Sequence, residues 1–191
     1  MTKGRLEAFS DGVIAIIITI MVLGLAPPRG ATLADLQPLV PVLISYVLSF
    51  VFIGIYWNNH HHLLQATSVV NGRVLWANLH LLFWLSLIPF GTGWMGQNGF
   101  ASLPVAVYGV EMLMAGFAYS LLLRAILACQ PAGSKLVEAV GTDLKGRISL
   151  AAYLIAIPVA LVMPLLSFTI YVLVAAIWFI PDRRMERALG R

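Results

Sequence analysis

The sequence has few charged residues and only one cysteine. Charged side chains make up 10% of the 191 residues, apolar side chains make up 60%, and the one cysteine is Cys129. An ordinary soluble domain carries about 25% charged residues, so the composition predicts a polytopic membrane protein with most of the chain in the bilayer. One cysteine excludes an internal disulfide and a cysteine metal cluster, and we interpret Cys129 as a packing residue.

Motifs for catalysis and for cofactor binding are absent from the sequence. It contains no Gly-x-Ser-x-Gly, no His-Glu-x-x-His, no phosphate-binding glycine loop and no paired acids at useful spacing. We therefore expect no enzyme, no catalytic residues and no cofactor. The potassium-filter sequence Thr-Val-Gly-Tyr-Gly is also missing. The basic residues are scattered rather than gathered on one face, which argues against nucleic acid as a partner.

The apolar residues form six runs of membrane length or close to it. We predict an all-α membrane protein with six transmembrane helices in a single domain, residues 1–191. The first run has no small-residue cleavage site after it, so we interpret it as a retained helix and not as a signal peptide. The last two runs are almost continuous and must form an antiparallel hairpin. The predicted helices cover residues 9–25, 36–62, 74–95, 103–129, 148–164 and 165–180.

Lysine and arginine are distributed asymmetrically if the six helices alternate across a membrane. Of the 12 such residues, one side receives Arg29 alone and the other side receives all the rest. Basic residues favour the cytoplasmic side, so both termini are expected there, and the basic tail has anionic lipid as an expected partner. The basic residues on this side are Lys3, Arg5, Arg73, Arg124, Lys135, Lys145, Arg147, Arg183, Arg184, Arg187 and Arg191.

The first apolar run begins with polar residues that need partners. Arg5, Ser10 and Asp11 precede membrane-type sequence directly, and a carboxylate in that position is costly unless another group binds it. The expected partners of Ser10 and Asp11 are Trp57 with His60 or His61 at the end of the second run, together with Asn78 in the third run. All of these residues are expected on the same side of the membrane. The three adjacent histidines, 60 to 62, point about 100° apart on a helix and cannot converge on one metal ion, so no metal site is expected.

The remainder of the first run divides into two faces when it is wound as a helix. Ile16, Ile20 and Leu23 form one narrow apolar stripe with Thr19 beside it, and Ser10 and Asp11 point broadly the other way. Two interpretations are open at this point. The helix is either an ordinary member of a packed bundle or the lining of a narrow pore that is held from behind.

Glu111 is the one carboxylate deep in a later run. It is either a proton or cation site or an acid near the extracellular helix end that reaches water. A proton-coupled secondary transporter that uses Glu111 and the histidines is therefore an alternative function, although no convincing internal repeat supports it. A membrane-embedded enzyme or metal-dependent assembly protein would need convergent histidines, which the spacing does not supply.

The sequence resembles one known family over essentially its whole length. Arg5-x-x-x-Phe9-Ser10-Asp11 matches the RxxxFSD motif of the transmembrane protein 175 family, the potassium channels of endosomes and lysosomes and their bacterial relatives. Trp57-x-x-His60-His61, Asn78 and the pair Pro89-Phe90 are also similar to the bacterial members.

The resemblance implies a potassium-permeable channel of the bacterial plasma (inner) membrane. It implies a homotetramer, in which each subunit places its first helix on a central axis, with monovalent cations as the permeant partners. By offset from the motif aspartate, Ile16, Ile20 and Leu23 correspond to the apolar constriction and Thr19 to the threonine linked to potassium preference. The motif residues then belong to the network that ties the first helix to the second and third.

Overall fold

The computed structural model describes residues 2–67, 69–130, 137 and 143–179. All regular secondary structure in these ranges is helical. A short 3₁₀ turn, Gln37–Leu39, joins the second helix to the third. The α-helices are α1 (Lys3–Val22), α2 (Leu33–Leu36), α3 (Val40–Gln65), α4 (Gly72–Gln97), α5 (Ser102–Leu127), α6 (Leu144–Val162) and α7 (Pro164–Phe179).

Several helices are long and apolar enough to cross a membrane. Within the described ranges four meet this criterion by length and composition: Leu33–Gln65, which joins α2 and α3, and helices α4, α5 and α6. Helix α7 is apolar but shorter, and α1 carries four charged residues near its beginning. The protein is thus an all-helical, multi-pass membrane protein. Six spans, cytoplasmic termini and a tetramer stay predictions, as does the single domain.

The observed bounds differ most from the sequence prediction at α1. The helix begins at Lys3, six residues before the predicted beginning at Phe9, and ends at Val22. Lys3 and Glu7 lie one turn apart and form an ion pair of 3.8 Å, which favours helix in this polar segment. Arg5 therefore lies inside the helix together with the other motif residues, and not before it. The predicted end of the last helix, at residue 180, falls outside the described residues.

Alternating helix directions give the bundle two ends, which we name by their residues. The proximal end contains Lys3, Gln65, Gly72, Leu127 and Leu144, and the distal end contains the opposite helix termini. Helix α4 packs on α3 and α5, α5 packs on α6, and α1 packs against α4 and α3.

The expected hairpin of the last two runs is confirmed by contacts between α6 and α7. Ser167 Oγ donates to the carbonyl of Ala156 at 2.7 Å, and Trp178 Nε1 donates to Ser149 Oγ at 2.8 Å. These pairs run in opposite chain directions, and only Met163 separates the two helices.

Close packing of α3 and α4 at the distal end depends on Gly96. A Cβ atom at this position would lie 2.7 Å from Cα of Val42 and would also collide with Ser45 Oγ. The backbone of Val42 cannot move aside without shifting α3. Gly93, one turn earlier on the same helix, has nothing within 4 Å of the corresponding position.

We predict that Gly96→Ala destabilises the protein by about 1–3 kcal/mol, the usual cost of overpacking a close contact. Gly93→Ala is the matched control and should be neutral or stabilising by up to about 1 kcal/mol, because alanine is the better helix former. Thermal unfolding of both variants in detergent measures the difference. Equal midpoints for the two variants would show that α3 and α4 do not approach as closely as described.

Candidate functional site

Three buried polar side chains connect α1, α3 and α4 near the proximal end, and we call them the proximal cluster. Asn78 Nδ2 donates to Ser10 Oγ at 2.9 Å, and Asn78 Oδ1 lies 2.7 Å from Nε2 of His60. Ser10 and Asn78 are fully buried and His60 nearly so. The hydroxyl of Ser10 donates in turn to the carbonyl of Leu6 at 2.8 Å. One amide side chain thus joins three helices.

The hydrogen bonds of the proximal cluster determine which nitrogen of His60 carries a proton. Because the Asn78 amide nitrogen is used on Ser10, its oxygen faces His60 and can only accept. Nε2 of His60 must therefore be protonated. Each member of the cluster has a partner, as buried polar groups require.

A second contact between α1 and α3 lies at the edge of the proximal cluster. Trp57 Nε1 donates to Oδ1 of Asp11 at 3.0 Å, and the ring of His61 stacks on Trp57 with centroids 5.8 Å apart and an interplanar angle of 21°. Asp11 is half-buried and Trp57 is exposed. Of the two histidines left open by the sequence, His60 joins the buried hydrogen bonds and His61 supports the tryptophan.

Arg5 and Asp11, the two charged residues of the motif, do not pair within the single chain. Arg5 is exposed and forms no ion pair with Asp11. The two residues are six positions apart, which separates them by about 120° around the helix. Phe9 points outward on the same side as Arg5, with 49% of its surface exposed.

One face of α1 is not covered by its own chain. The exposed fractions are 58% for Ile16, 48% for Ile20 and 79% for Leu23, which follows the last helical residue. Ile17 and Met21 point into the bundle instead. The predicted stripe is therefore a real surface of the subunit, and the proximal cluster lies on the other side of the helix.

Thr19 lies on the uncovered face of α1. Its Oγ1 is 3.0 Å from the carbonyl oxygens of both Ala15 and Ile16 and donates its hydrogen to that side. The lone pairs of the hydroxyl are consequently directed away from the helix, where they can accept a donor or contact a cation.

The chain matches known proteins through the segment that contains this site. The profile of the family described as the endosomal/lysosomal potassium channel TMEM175 matches residues 5–89. A protein of Chryseobacterium sp. (strain P1-3), described as a potassium channel, is 53% identical over 99% of this chain and 98% of its own length. The chain belongs to the TMEM175 family.

Further TMEM175 relatives are more distant. A protein of Streptomyces collinus, also described as a potassium channel, is 32% identical over 63% of this chain and 62% of its own. The solved structure of a TMEM175 homologue of Chamaesiphon minutus, described as a lysosomal potassium-selective channel homologue, superposes with a TM-score of 0.82. It covers 94% of this chain and 97% of that chain at 24% identity, which establishes the common fold.

The segment matched by the TMEM175 profile begins at Arg5 and includes Asn78. It therefore contains the proximal cluster and the uncovered face of α1. Glu111 lies outside the segment that the profile matches.

Three buried hydroxyl residues on different helices form a second polar cluster, which was not predicted from the sequence. We call Ser49, Thr92 and Tyr108 the distal cluster. Ser49 Oγ lies 3.0 Å from the Tyr108 hydroxyl and 2.6 Å from Oγ1 of Thr92. Thr92 Oγ1 is also 4.0 Å from the sulfur of Met21, on the buried side of α1. Single hydroxyl residues in apolar runs usually bond their own helix backbone, so spacing alone does not reveal such a cluster.

The remaining histidines do not assemble with one another. His80 accepts a hydrogen bond from Trp84 Nε1 at 2.9 Å on the same helix, and His62 meets only the edge of the His61 ring. In the part of the chain that the structure describes, no group of three or more histidine, cysteine, aspartate or glutamate residues could hold a metal ion.

We predict that Asn78→Leu destabilises the protein strongly, by about 1–3 kcal/mol for each buried group left without a partner. Both His60 and Ser10 lose their connection in this variant. Trp57→Phe is the control, because Asp11 remains half exposed and can bind water, and it should cost about 1 kcal/mol or less. Thermal unfolding in detergent compares them. A larger loss for Trp57→Phe than for Asn78→Leu would contradict the dominance of the buried cluster.

Proposed function

We propose that the protein is a potassium-permeable cation channel of the bacterial plasma membrane, built as a homotetramer with α1 around a central pore. The observation that carries this proposal is the uncovered face of α1, which lies opposite the proximal cluster. The names of the similar proteins from Chryseobacterium and Streptomyces, both potassium channels, support the permeant ion. A channel requires neither catalytic residues nor a resident metal or cofactor.

The composition of the uncovered face distinguishes α1 from helices that face lipid. Arg5, Gly12 and Thr19 are exposed on it together with the isoleucines. Charged residues are costly against lipid tails, and small and hydroxyl residues are enriched where membrane helices pack on one another, so this face suits a surface that meets other subunits and water. One α1 cannot surround a pore, so several copies have to meet at an axis, and closed rotational symmetry is the usual solution.

Gating in this proposal takes place at rings of Ile16, Ile20 and Leu23. A narrow ring of apolar side chains excludes water and so prevents the passage of a hydrated ion. Tilting or rotating α1 would widen the rings and let water enter. Thr19 lies between Ile16 and Ile20 in sequence and offers the nearest oxygen atoms to a partly dehydrated cation.

Orientation in the membrane follows from the positive charges. Of the basic residues that the structure describes, Arg29 alone is in the distal loop, and the others are at or near the proximal helix ends: Lys3, Arg5, Arg73, Arg124, Lys145 and Arg147. Since basic residues favour the cytoplasm, we assign the proximal end to that side. Lys135 and the basic residues 183–191 lie outside the described residues.

The alternative of a proton-coupled transporter receives no support from the geometry. His60 lies 20 residues from the distal end of α3 and Glu111 only nine from the distal end of α5. At a rise of 1.5 Å per residue this separates them by roughly 16 Å along the bundle. In addition, His60 is occupied by its bond to Asn78.

We predict that replacing Ile16, Ile20 or Leu23 by Asn raises potassium flux in proteoliposomes by about tenfold, which corresponds to a barrier lowered by ~1.4 kcal/mol. The amide retains water in the constriction. Ile155→Asn is the matched control, because Ile155 on α6 is 61% exposed, similar to Ile16, but is not part of the proposed pore. Unchanged flux in all three pore variants, or an equal increase in the control, would contradict pore lining by α1.

We also predict that Thr19→Val reduces the preference for potassium over sodium by about two- to tenfold, since one hydrogen-bonding group is worth about 0.5–1.5 kcal/mol. The measurement is the reversal potential with potassium on one side of the membrane and sodium on the other. Thr169→Val is the control, because Thr169 on α7 is also exposed and bonds its own helix backbone. The same reversal potential for Thr19→Val and the unmodified protein would remove Thr19 from ion selection.

A further inference from the structure

A buried carboxyl group in α5 has no role in the proposed pore. Glu111 is only 5% exposed, and its Oε2 atom has no hydrogen-bond partner among the described residues. Of the two interpretations that the sequence left open, an acid that reaches water does not agree with this burial. Glu111 lies nine residues into the helix, about 14 Å from its beginning.

The carboxyl group of Glu111 contacts the backbone of α4 at Gly91. A Cβ atom at position 91 would collide with both carboxyl oxygens and with the carboxyl carbon. Only glycine leaves space for the acid at this position. The group therefore occupies a defined place between two helices and does not extend to the surface.

In the described part of the chain no cationic side chain forms an ion pair with Glu111, and Arg29 of the distal loop is exposed. The distal halves of α1 and α4 contain no ionisable side chain, and those of α3, α6 and α7 contain only tyrosines. His80, the nearest histidine of α4, is 11 residues before Gly91, about 16 Å along the helix. On α5 the neighbouring ionisable group is Tyr108, one turn earlier. The tyrosines on the packed helices are Tyr46, Tyr153 and Tyr171.

An unpaired carboxylate in such an apolar place costs far more free energy than the neutral acid. We propose that Glu111 is a proton-binding site within each subunit and that it carries its proton at neutral pH. Loss of this proton changes the packing of the distal end of α1. The ligand of the site is a proton and not a metal ion, since among the residues that the structure describes no metal-binding group of histidine, cysteine, aspartate or glutamate includes Glu111.

The distal cluster connects the surroundings of Glu111 with α1 through side-chain contacts. Gly91, which contacts the acid, is followed directly by Thr92, and Tyr108 lies one turn before Glu111 on α5. Thr92 contacts Ser49 at 2.6 Å and the sulfur of Met21 at 4.0 Å. Ionisation of Glu111 would draw water between α4 and α5 and so disturb the packing of Met21. That residue lies between Ile20 and Val22 on α1.

Infrared spectroscopy of the purified protein tests the proton site without reference to transport. The unmodified protein should show the carbonyl band of a protonated carboxylic acid at neutral pH, and the band should disappear as the pH rises. Glu111→Gln should lack the band. Asp35→Asn is the matched control and should retain it, because Asp35 is a half-exposed acid that accepts hydrogen bonds from Thr32 at 2.9 and 2.6 Å.

A second infrared measurement does not depend on any variant. Glutamate with a heavy carbon isotope in its carboxyl group, incorporated into the unmodified protein, should shift the band. Absence of the band at neutral pH, its persistence in Glu111→Gln, or no isotope shift would each overturn the proposal.

The effect of the Glu111 proton on α1 is tested by a separate measurement of potassium flux. This part of the proposal rests on the proposed channel function. Potassium flux of the unmodified protein should rise when the pH on the distal side is raised through the range in which the infrared band disappears. Glu111→Gln, which cannot ionise, should lose this pH dependence. A pH dependence retained in Glu111→Gln, or absent in the unmodified protein, would overturn the coupling. No potassium flux at any pH would count against the channel function, while the infrared result would still decide the proton site.

Discussion

A polar side chain inside an apolar bundle has to find its hydrogen-bond partner within the protein, and this constraint determines how α1 is rotated. Ser10 can reach Asn78 in only one orientation of the helix. Every other residue of α1 then follows at 100° per residue. Ile14, Ile17 and Met21 turn inward with Ser10, and the opposite face is left without cover.

The fold was largely predictable from hydrophobicity because long apolar runs have few alternatives in a membrane. The approximate positions of the long helices and the hairpin of α6 and α7 agree with the sequence. The beginning of α1 was predicted too late, because an apolar-run criterion ignores charged residues that extend a helix beyond the bilayer. The short helix α2 was also not predicted. Its four residues begin after Thr32, which forms a capping box with Asp35.

The proximal cluster was predictable in its members but not in its pairs. Ser10, His60 and Asn78 were expected together because sidedness places them at one end and burial demands partners. The choice between His60 and His61, and the separation of Arg5 from Asp11, depend on how each helix is rotated. The distal cluster could not be found in advance, since Ser49, Thr92 and Tyr108 are single hydroxyl residues in apolar runs, and such residues usually bond their own helix backbone. The burial of Glu111 depends on Gly91 of α4, and no sequence pattern within α5 predicts that contact.

Helix α1 is attached to its neighbours in two different ways along its length. Near Ser10 the contacts are short hydrogen bonds, which tolerate little change in distance or direction. Towards Met21 they are mainly apolar contacts and one long contact to sulfur, which have weak directional preference. The least costly displacement of α1 is therefore a swing of its distal half about a pivot at the level of Ser10. In such a swing the displacement grows with the distance from Ser10, so of the three stripe residues it is smallest at Ile16 and largest at Leu23, which is also the most exposed of the three.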